Sequence, residues 1–253
     1  MKRQSKPRAK QRTPNSRTAG SCLMRLPAPF PDNMENIMNL AQKYGPKTLA
    51  DYRTHYQPLA DLIRMYAEGK TEMPLLLFGP PGTGKTQLAE LLPPALCAGF
   101  VPANAQMTID AGLDTGINKI RAAKTFCEMY KANDDNFTAV IIDECDRLSG
   151  DAMDALKHLL PAYQGKPGMR VQFILTTNHV NRVPAPVQDR CHRMQVPQPT
   201  PEALLDFAMT ILDAEGRRYD PTLILAILRT NTSRDGTLSY REFYKRLERL
   251  IAL

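Results

Sequence analysis

Two residue patterns in this chain are spaced for chemistry on a polyphosphate. The first is the run Gly79-Pro80-Pro81-Gly82-Thr83-Gly84-Lys85-Thr86, which fits Gly, four residues, then Gly-Lys-Ser/Thr. Glycines at these positions let the backbone turn tightly around an anion with its N–H groups directed inward, and a helix starting there adds the positive end of its dipole. Lys85 is then placed to reach the outer phosphates, and the Thr86 hydroxyl to hold Mg²⁺. The second pattern is Asp143-Glu144, two carboxylates ending the apolar run Phe137–Ile142. One carboxylate there suits Mg²⁺, together with Thr86, and its neighbour suits activation of an attacking water as a general base. Thr176-Thr177-Asn178 closes another apolar run, Val171–Leu175, and Asn178 is the polar group positioned to orient that water. These patterns together predict a Mg²⁺-dependent site for a nucleoside triphosphate.

Such groups need a frame. Pro74–Phe78 reads as the strand before the phosphate loop and Gln87–Leu92 as the helix after it, with Pro93-Pro94 expected to end or kink that helix. Met107–Ile109, Phe137–Ile142 and Val171–Leu175 read as further strands. Between them, residues 116–131 predict a helix buried through Ile117, Ile120, Phe126 and Met129, and Met153, Leu156, Leu159 and Leu160 mark another. Near-continuous apolar strands alternating with helices imply a parallel sheet covered on both faces, an α/β fold whose ligand site lies at the carboxyl edge. Upstream, residues 33–69 also predict helix. From Thr200 onward the pattern is entirely helical (Ala203–Leu212, Pro221–Leu228, Leu238–Leu253). Three regions follow: a basic tail over 1–26, an α/β nucleotide-binding domain over 27–198, and a small all-α lid over 199–253.

The formal charge of +7 belongs to the tail. Residues 1–25 hold eight lysines and arginines and no acid, which leaves the rest nearly neutral. That composition cannot build a core. It fits a solvated extension, a nucleic-acid-binding arm acting through counterion release, or a targeting peptide. No apolar stretch reaches the length of a membrane span, and no secretory signal is expected. Five scattered cysteines (Cys22, Cys97, Cys127, Cys145, Cys191) make no Cys-x-x-Cys pair, so reduced thiols in a cytoplasmic or nuclear protein are expected, without a structural metal.

The order of phosphate loop, Asp-Glu strand, Thr-Thr-Asn strand and helical lid resembles that of AAA+ ATPases. Several stretches are similar to the clamp-loader subfamily, the small subunits of replication factor C and phage clamp-loader ATPases. Lys43-Tyr44-Gly45-Pro46-Lys47-Thr48-Leu49, Thr115-Gly116-Ile117 with Arg121, Asp143-Glu144-Cys145-Asp146 and Pro184–Cys191 carry the likeness, which covers most of residues 43–193. The resemblance implies that the nucleotide is ATP and that Tyr44 and Pro46 pack near the adenine. It implies that Arg190 is an arginine finger serving a neighbouring subunit's nucleotide, and that Arg241, in Ser239-Tyr240-Arg241, senses the nucleotide from the lid. By itself Arg190 reads as a surface ion pair with Asp189, and Arg234 and Arg246 compete for the lid role. The sequence departs from the family at Gly45, where an arginine is usual, and at Asp189, where a serine is. It runs only to Leu253, so the helical collar of that family is expected to be lacking.

An ATPase of DNA metabolism is therefore expected, assembling as a homo- or hetero-oligomer through the nucleotide site. DNA is its expected partner, a sliding clamp or a helicase its candidate cargo, and no membrane is involved. The alternative is an ATP-gated recruitment module with little turnover. A metabolite kinase fits less well, because the Asp-Glu pair suits water activation.

Overall fold

The computed structural model describes residues 39–97, 101–131, 133 and 136–252. The basic tail, and the start of the helix expected over 33–69, lie outside the described residues. Five strands form the sheet: β1 (Leu75–Phe78), β2 (Gln106–Asp110), β3 (Phe137–Asp143), β4 (Arg170–Thr177) and β5 (His192–Gln195). Their order is β2-β3-β4-β1-β5, and every pairing is parallel. Alternate residues face opposite layers, as the pleat requires. Leu76, Val140, Ile142, Phe173 and Leu175 enter a core with α4 (Ile117–Glu128) and α5 (Gly150–Leu159). Leu75, Leu77, Ala139, Ile141 and Ile174 enter another with α2 (Gln57–Ala67) and α3 (Lys85–Leu96). At roughly 1.5–3 kcal/mol for each large apolar side chain removed from water, these two layers dominate the stability of the domain.

The remaining departures from the sequence reading have local causes. Residues 39–69 are not one helix: α1 (Leu40–Tyr44) stops at Gly45-Pro46, a 3₁₀ turn covers Leu49–Asp51, and α2 begins with Pro58 in its first turn. A residue before proline is pushed out of the helical region, and a proline is tolerated only near a helix start. The Pro93-Pro94 pair does not end α3, which runs on to Leu96; burial of Leu92, Pro93 and Leu96 holds that last turn despite two missing N–H donors. α4 buries Ile120, Ala123 and Cys127, whereas Met129 caps it with an extended backbone and is 54% exposed. β5 (His-Arg-Met-Gln) has no apolar run. As an edge strand it pairs through its main chain with β1 and leaves alternate side chains in solvent.

Beyond the sheet and the short helix α6 (Ala185–Gln188) lie α7 (Pro201–Ala214), α8 (Pro221–Arg229) and α9 (Tyr240–Ile251). Thr200, Asp220 and Ser239 cap their first turns through side-chain oxygens. Leu204, Ile211, Ile224, Leu228, Phe243 and Leu247 make their common core, and Leu40 of α1 joins it. Among the described residues no helix is long and apolar enough to cross a membrane.

Candidate functional site

The loop between β1 and α3 stands at the carboxyl edge of the sheet, beside the ends of β3 and β4. Its shape depends on glycine. Gly79 has φ +150°, and a Cβ there would lie 2.4 Å from the Val196 carbonyl oxygen; Gly82 has φ +76°, and a Cβ would lie 2.9 Å from Ser239 Cβ. No side chain caps the first turn of α3, so its N–H groups remain for an anion. The Lys85 ammonium is curled into the loop, donating to the carbonyls of Gly79 (2.9 Å) and Pro80 (2.7 Å). Burial lowers its pKa to about 8, against the pull of Asp143, Glu144 and Asp146.

Asp143 ends β3 facing α3. Thr86 Oγ1 donates to both its carboxylate oxygens, at 2.9 and 3.1 Å, and Thr176 Oγ1 donates to Oδ1. Glu144 turns the chain with a left-handed backbone, φ 50°, ψ 42°, a conformation rare outside glycine and asparagine. Its carboxylate is 2.7 Å from Arg147 Nε. Thr177 Oγ1 donates to Asp146 at 2.6 Å.

A cleft of about 840 Å³ opens over this edge. Pro81 to Thr86, Asp143, Glu144 and Asn178 line its floor, and Arg241, Tyr244 and Phe207 of the helical unit line its roof. Tyr44 and Pro46 form part of its wall. The Tyr44 hydroxyl is committed to Glu215 (2.5 Å), which also takes Lys43 at 2.6 Å, so only the ring of Tyr44 is left for a ligand. The Pro46 carbonyl accepts from Gln87 Nε2 at 3.1 Å. Gly79 and Pro80 supply the carbonyls that hold Lys85.

Two of the arginines separate cleanly. Arg246 is buried and donates to the carbonyls of Ile227, Leu228 and Asn231, closing the end of α8. Arg241 is exposed at the cleft. Arg190 lies away from the cleft of its own chain, its guanidinium donating to the Pro186 carbonyl. The structure also brings in groups the sequence did not single out. Arg53 packs its guanidinium 4.9 Å from the centre of the Phe207 ring, in the cleft, and Thr176 sits between Asp143 and Glu144. Only the Thr-Thr ending of β4 signalled Thr176; Arg53 and Phe207 are joined by tertiary packing alone.

The donor set fits a polyphosphate and Mg²⁺. The glycine cradle has room only where side chains are absent, an ammonium lies within it, and a hydroxyl and a carboxylate that suit a hard cation already touch. Residues 75–198 match the ATPase family associated with various cellular activities (AAA). They are an AAA nucleotide-binding domain on a parallel α/β sheet.

Within that class the chain is similar to replication factor C subunits. The chain is 31% identical over 188 residues to the replication factor C small subunit of Archaeoglobus fulgidus, covering 72% of this chain and 56% of that protein. It is 26% identical over 205 residues to replication factor C subunit 3 of Schizosaccharomyces pombe, covering 79% and 57%. The chain is thus homologous to replication factor C small subunits and spans about half their length. Its fold also matches the Thermotoga maritima RuvB Holliday junction branch migration motor, with a TM-score of 0.59 at 16% identity over 82% of this chain and 63% of that one.

Proposed function

We propose that this chain is a Mg²⁺-dependent ATPase of DNA replication or related DNA metabolism, working in a clamp-loader-like assembly. The observation that carries the reading is the contact of Thr86 with Asp143 at the mouth of the phosphate loop, with Glu144 next in the chain. When bound there by Thr86 and Asp143, Mg²⁺ supplies neutralisation of the charge that grows on the phosphate oxygens. Lys85 exchanges its two carbonyl partners for phosphate oxygens. Glu144 takes the proton of the attacking water, and Asn178 orients that water. Arg241 reaches the nucleotide from the lid, and the ring of Tyr44 with Pro46 borders the base. Arg190, turned out of its own cleft, serves the nucleotide of an adjoining subunit, a role worth about 10³–10⁵ in rate where a guanidinium meets the transferring phosphoryl group. The partners are other subunits of the same kind, DNA, and a sliding clamp or helicase as cargo.

The relevant measurement is ATP turnover per subunit across protein concentrations, with and without primer–template DNA. A specific rate that climbs with concentration and rises with DNA supports shared sites; a rate independent of both refutes them. Glu144→Gln should bind ATP normally while losing at least about 10²-fold in turnover, and normal turnover in that variant would sink the general-base assignment. One observation favours a second reading, an ATP-gated module with little turnover: the Glu144 carboxylate is engaged by Arg147. A module of that kind would change its partner affinity on binding ATP without measurable hydrolysis at any concentration.

A further inference from the structure

Thr176 occupies a place no other hydroxyl among the described residues shares. The β3–β4 ladder pairs Ile142 with Leu175, so one step further brings Asp143 and Thr176 level on neighbouring strands. Side chains at one level of a parallel sheet project to the same face. The Thr176 hydroxyl therefore meets the Asp143 carboxylate directly, on the side where Thr86 also donates. Its remaining lone pairs face the chain leaving β3, and the Glu144 backbone N–H donates into them at 3.2 Å. Thr176 is 1% exposed. A buried hydroxyl has one proton and two lone pairs to satisfy, and here the proton serves one carboxylate residue while a lone pair serves the backbone of the next. Thr177, one residue on, projects to the opposite face and holds Asp146 instead.

We infer that Thr176 is a positioning residue for both acidic groups at once: its O–H fixes the Asp143 carboxylate for the metal, and its oxygen holds Glu144 in the left-handed turn that sets the direction of the general base. This rests on the reading that Asp143 holds Mg²⁺ and Glu144 activates water. A left-handed backbone at glutamate is strained and persists only where its surroundings determine it. The N–H bond to Thr176 is one such determinant. The Asp143 carboxylate, accepting from Thr86 and Thr176, is likewise set in one rotation before any ligand arrives.

The test uses the full chain as wild type, Thr176→Val, Thr176→Ser and Thr177→Val. The first readout is the affinity of Mn²⁺ for the protein bound to a non-hydrolysable ATP analogue, followed by the paramagnetic signal of free Mn²⁺. The second is ATP turnover. Groups behind a metal ligand carry about 10–100-fold in metal affinity or activity, so Thr176→Val should lose that much in Mn²⁺ affinity and in turnover, while analogue binding in EDTA stays within about threefold. Thr176→Ser keeps the hydroxyl and should match wild type in both readouts. Thr177→Val should melt at a lower temperature with Mn²⁺ affinity intact. The inference is overturned by a valine variant equal to wild type, by a serine variant as impaired as valine, or by an equal loss in Thr177→Val. Should valine at 176 prevent folding, Thr176→Ala carries the same expectation and the same refutation. A wild-type chain that binds the analogue but no Mn²⁺ overturns the metal reading and this inference with it. A wild type that binds Mn²⁺ without turning over ATP overturns hydrolysis alone, and the Mn²⁺ series still decides on Thr176.

Discussion

The lowered pKa of Lys85 makes nucleotide affinity depend on pH in a window where the phosphates themselves are silent. Burial in the loop brings the ammonium from 10.5 to about 8, despite the opposing pull of Asp143, Glu144 and Asp146. A bound polyphosphate favours the charged form, so binding above pH 8 must first return a proton to Lys85. Phosphate esters have their second pKa near 6 and are fully ionised from about pH 7.5 upward. If only the charged form binds, the apparent dissociation constant scales with one plus the ratio of neutral to charged lysine, and rises about eightfold between pH 7.5 and 9. The same linkage requires uptake of about half a proton per nucleotide at pH 8 and about nine-tenths at pH 9. Titration calorimetry of ADP in buffers of different ionisation enthalpy reads both quantities. The ligand-free fold has the opposite dependence: the unfolded chain binds the extra proton between pH 8 and 10.5, so stability rises with pH through that window. Lys85→Arg keeps its charge throughout, and any residual binding should be flat with pH. An affinity constant between pH 7.5 and 9, without proton uptake, would refute this linkage.

Three further outcomes follow from particular contacts. The Glu144–Arg147 pair is partly exposed (34% and 57%) and spaced i,i+3, worth about 0.3–0.5 kcal/mol, so Arg147→Ala should raise basal ATP turnover about twofold by releasing the carboxylate; an unchanged or lower rate removes Arg147 as a restraint. Gly82→Ala places a Cβ at φ +76° and 2.9 Å from Ser239, so it should cost about 1–2 kcal/mol of stability and weaken ATP binding; unaltered melting and affinity would show that the loop relaxes without moving the lid. Deleting residues 1–26 removes eight cations; basal turnover should stay constant while DNA binding weakens and its salt dependence flattens, by up to about 0.9 in log–log slope for each phosphate the tail had neutralised, and unchanged DNA binding would reject the tail as a nucleic-acid arm.

What the sequence made legible is what is encoded within one short stretch. The phosphate loop is a contiguous backbone shape, and Phe137–Ile142 declares a strand buried on both faces. The lid helices were legible as apolar periodic runs, while their starts are set by Thr200 and Asp220, each capping a first turn that holds a proline. β5 escaped notice because an edge strand needs only main-chain partners, so His192–Gln195 carries no apolar signature. The break at Gly45-Pro46 and the continuation through Pro93-Pro94 show the same residue type deciding differently. The first pair has no buried turn to carry it onward, whereas Pro93 is itself in the core. In the site, Lys85 and Thr86 could be named from the phosphate-loop motif, and Asp143 and Asn178 from their positions at strand ends. The contacts of Thr176 with Asp143 and Glu144, of Arg147 with Glu144 and of Arg53 with Phe207 could not, because register, a backbone turn and tertiary packing make them.

The phosphate loop is hydrogen-bonded to the start of α9 and to the segment that leads into the helical unit. Tyr240 donates its backbone N–H to the Gly82 carbonyl at 2.9 Å, and Gln198 Nε2 donates to the Pro81 carbonyl at 3.2 Å. Both acceptors belong to the loop that would wrap the phosphates. Tyr240 is the first residue of α9 and Arg241 the second, so a shift of the loop is transmitted across one hydrogen bond to the arginine in the roof. On the far wall, Lys43 and Tyr44 grip Glu215 at the end of α7. That contact holds α1 to the helical unit, whose core Leu40 and Tyr44 already join. Arg246 anchors α9 to α8 through the carbonyls of Ile227, Leu228 and Asn231, which makes the helices one packed unit. In the proposed assembly a nucleotide seated in the loop would therefore bear on Arg241 through the single Tyr240–Gly82 hydrogen bond, and Gly82→Ala should weaken that link as well as the loop.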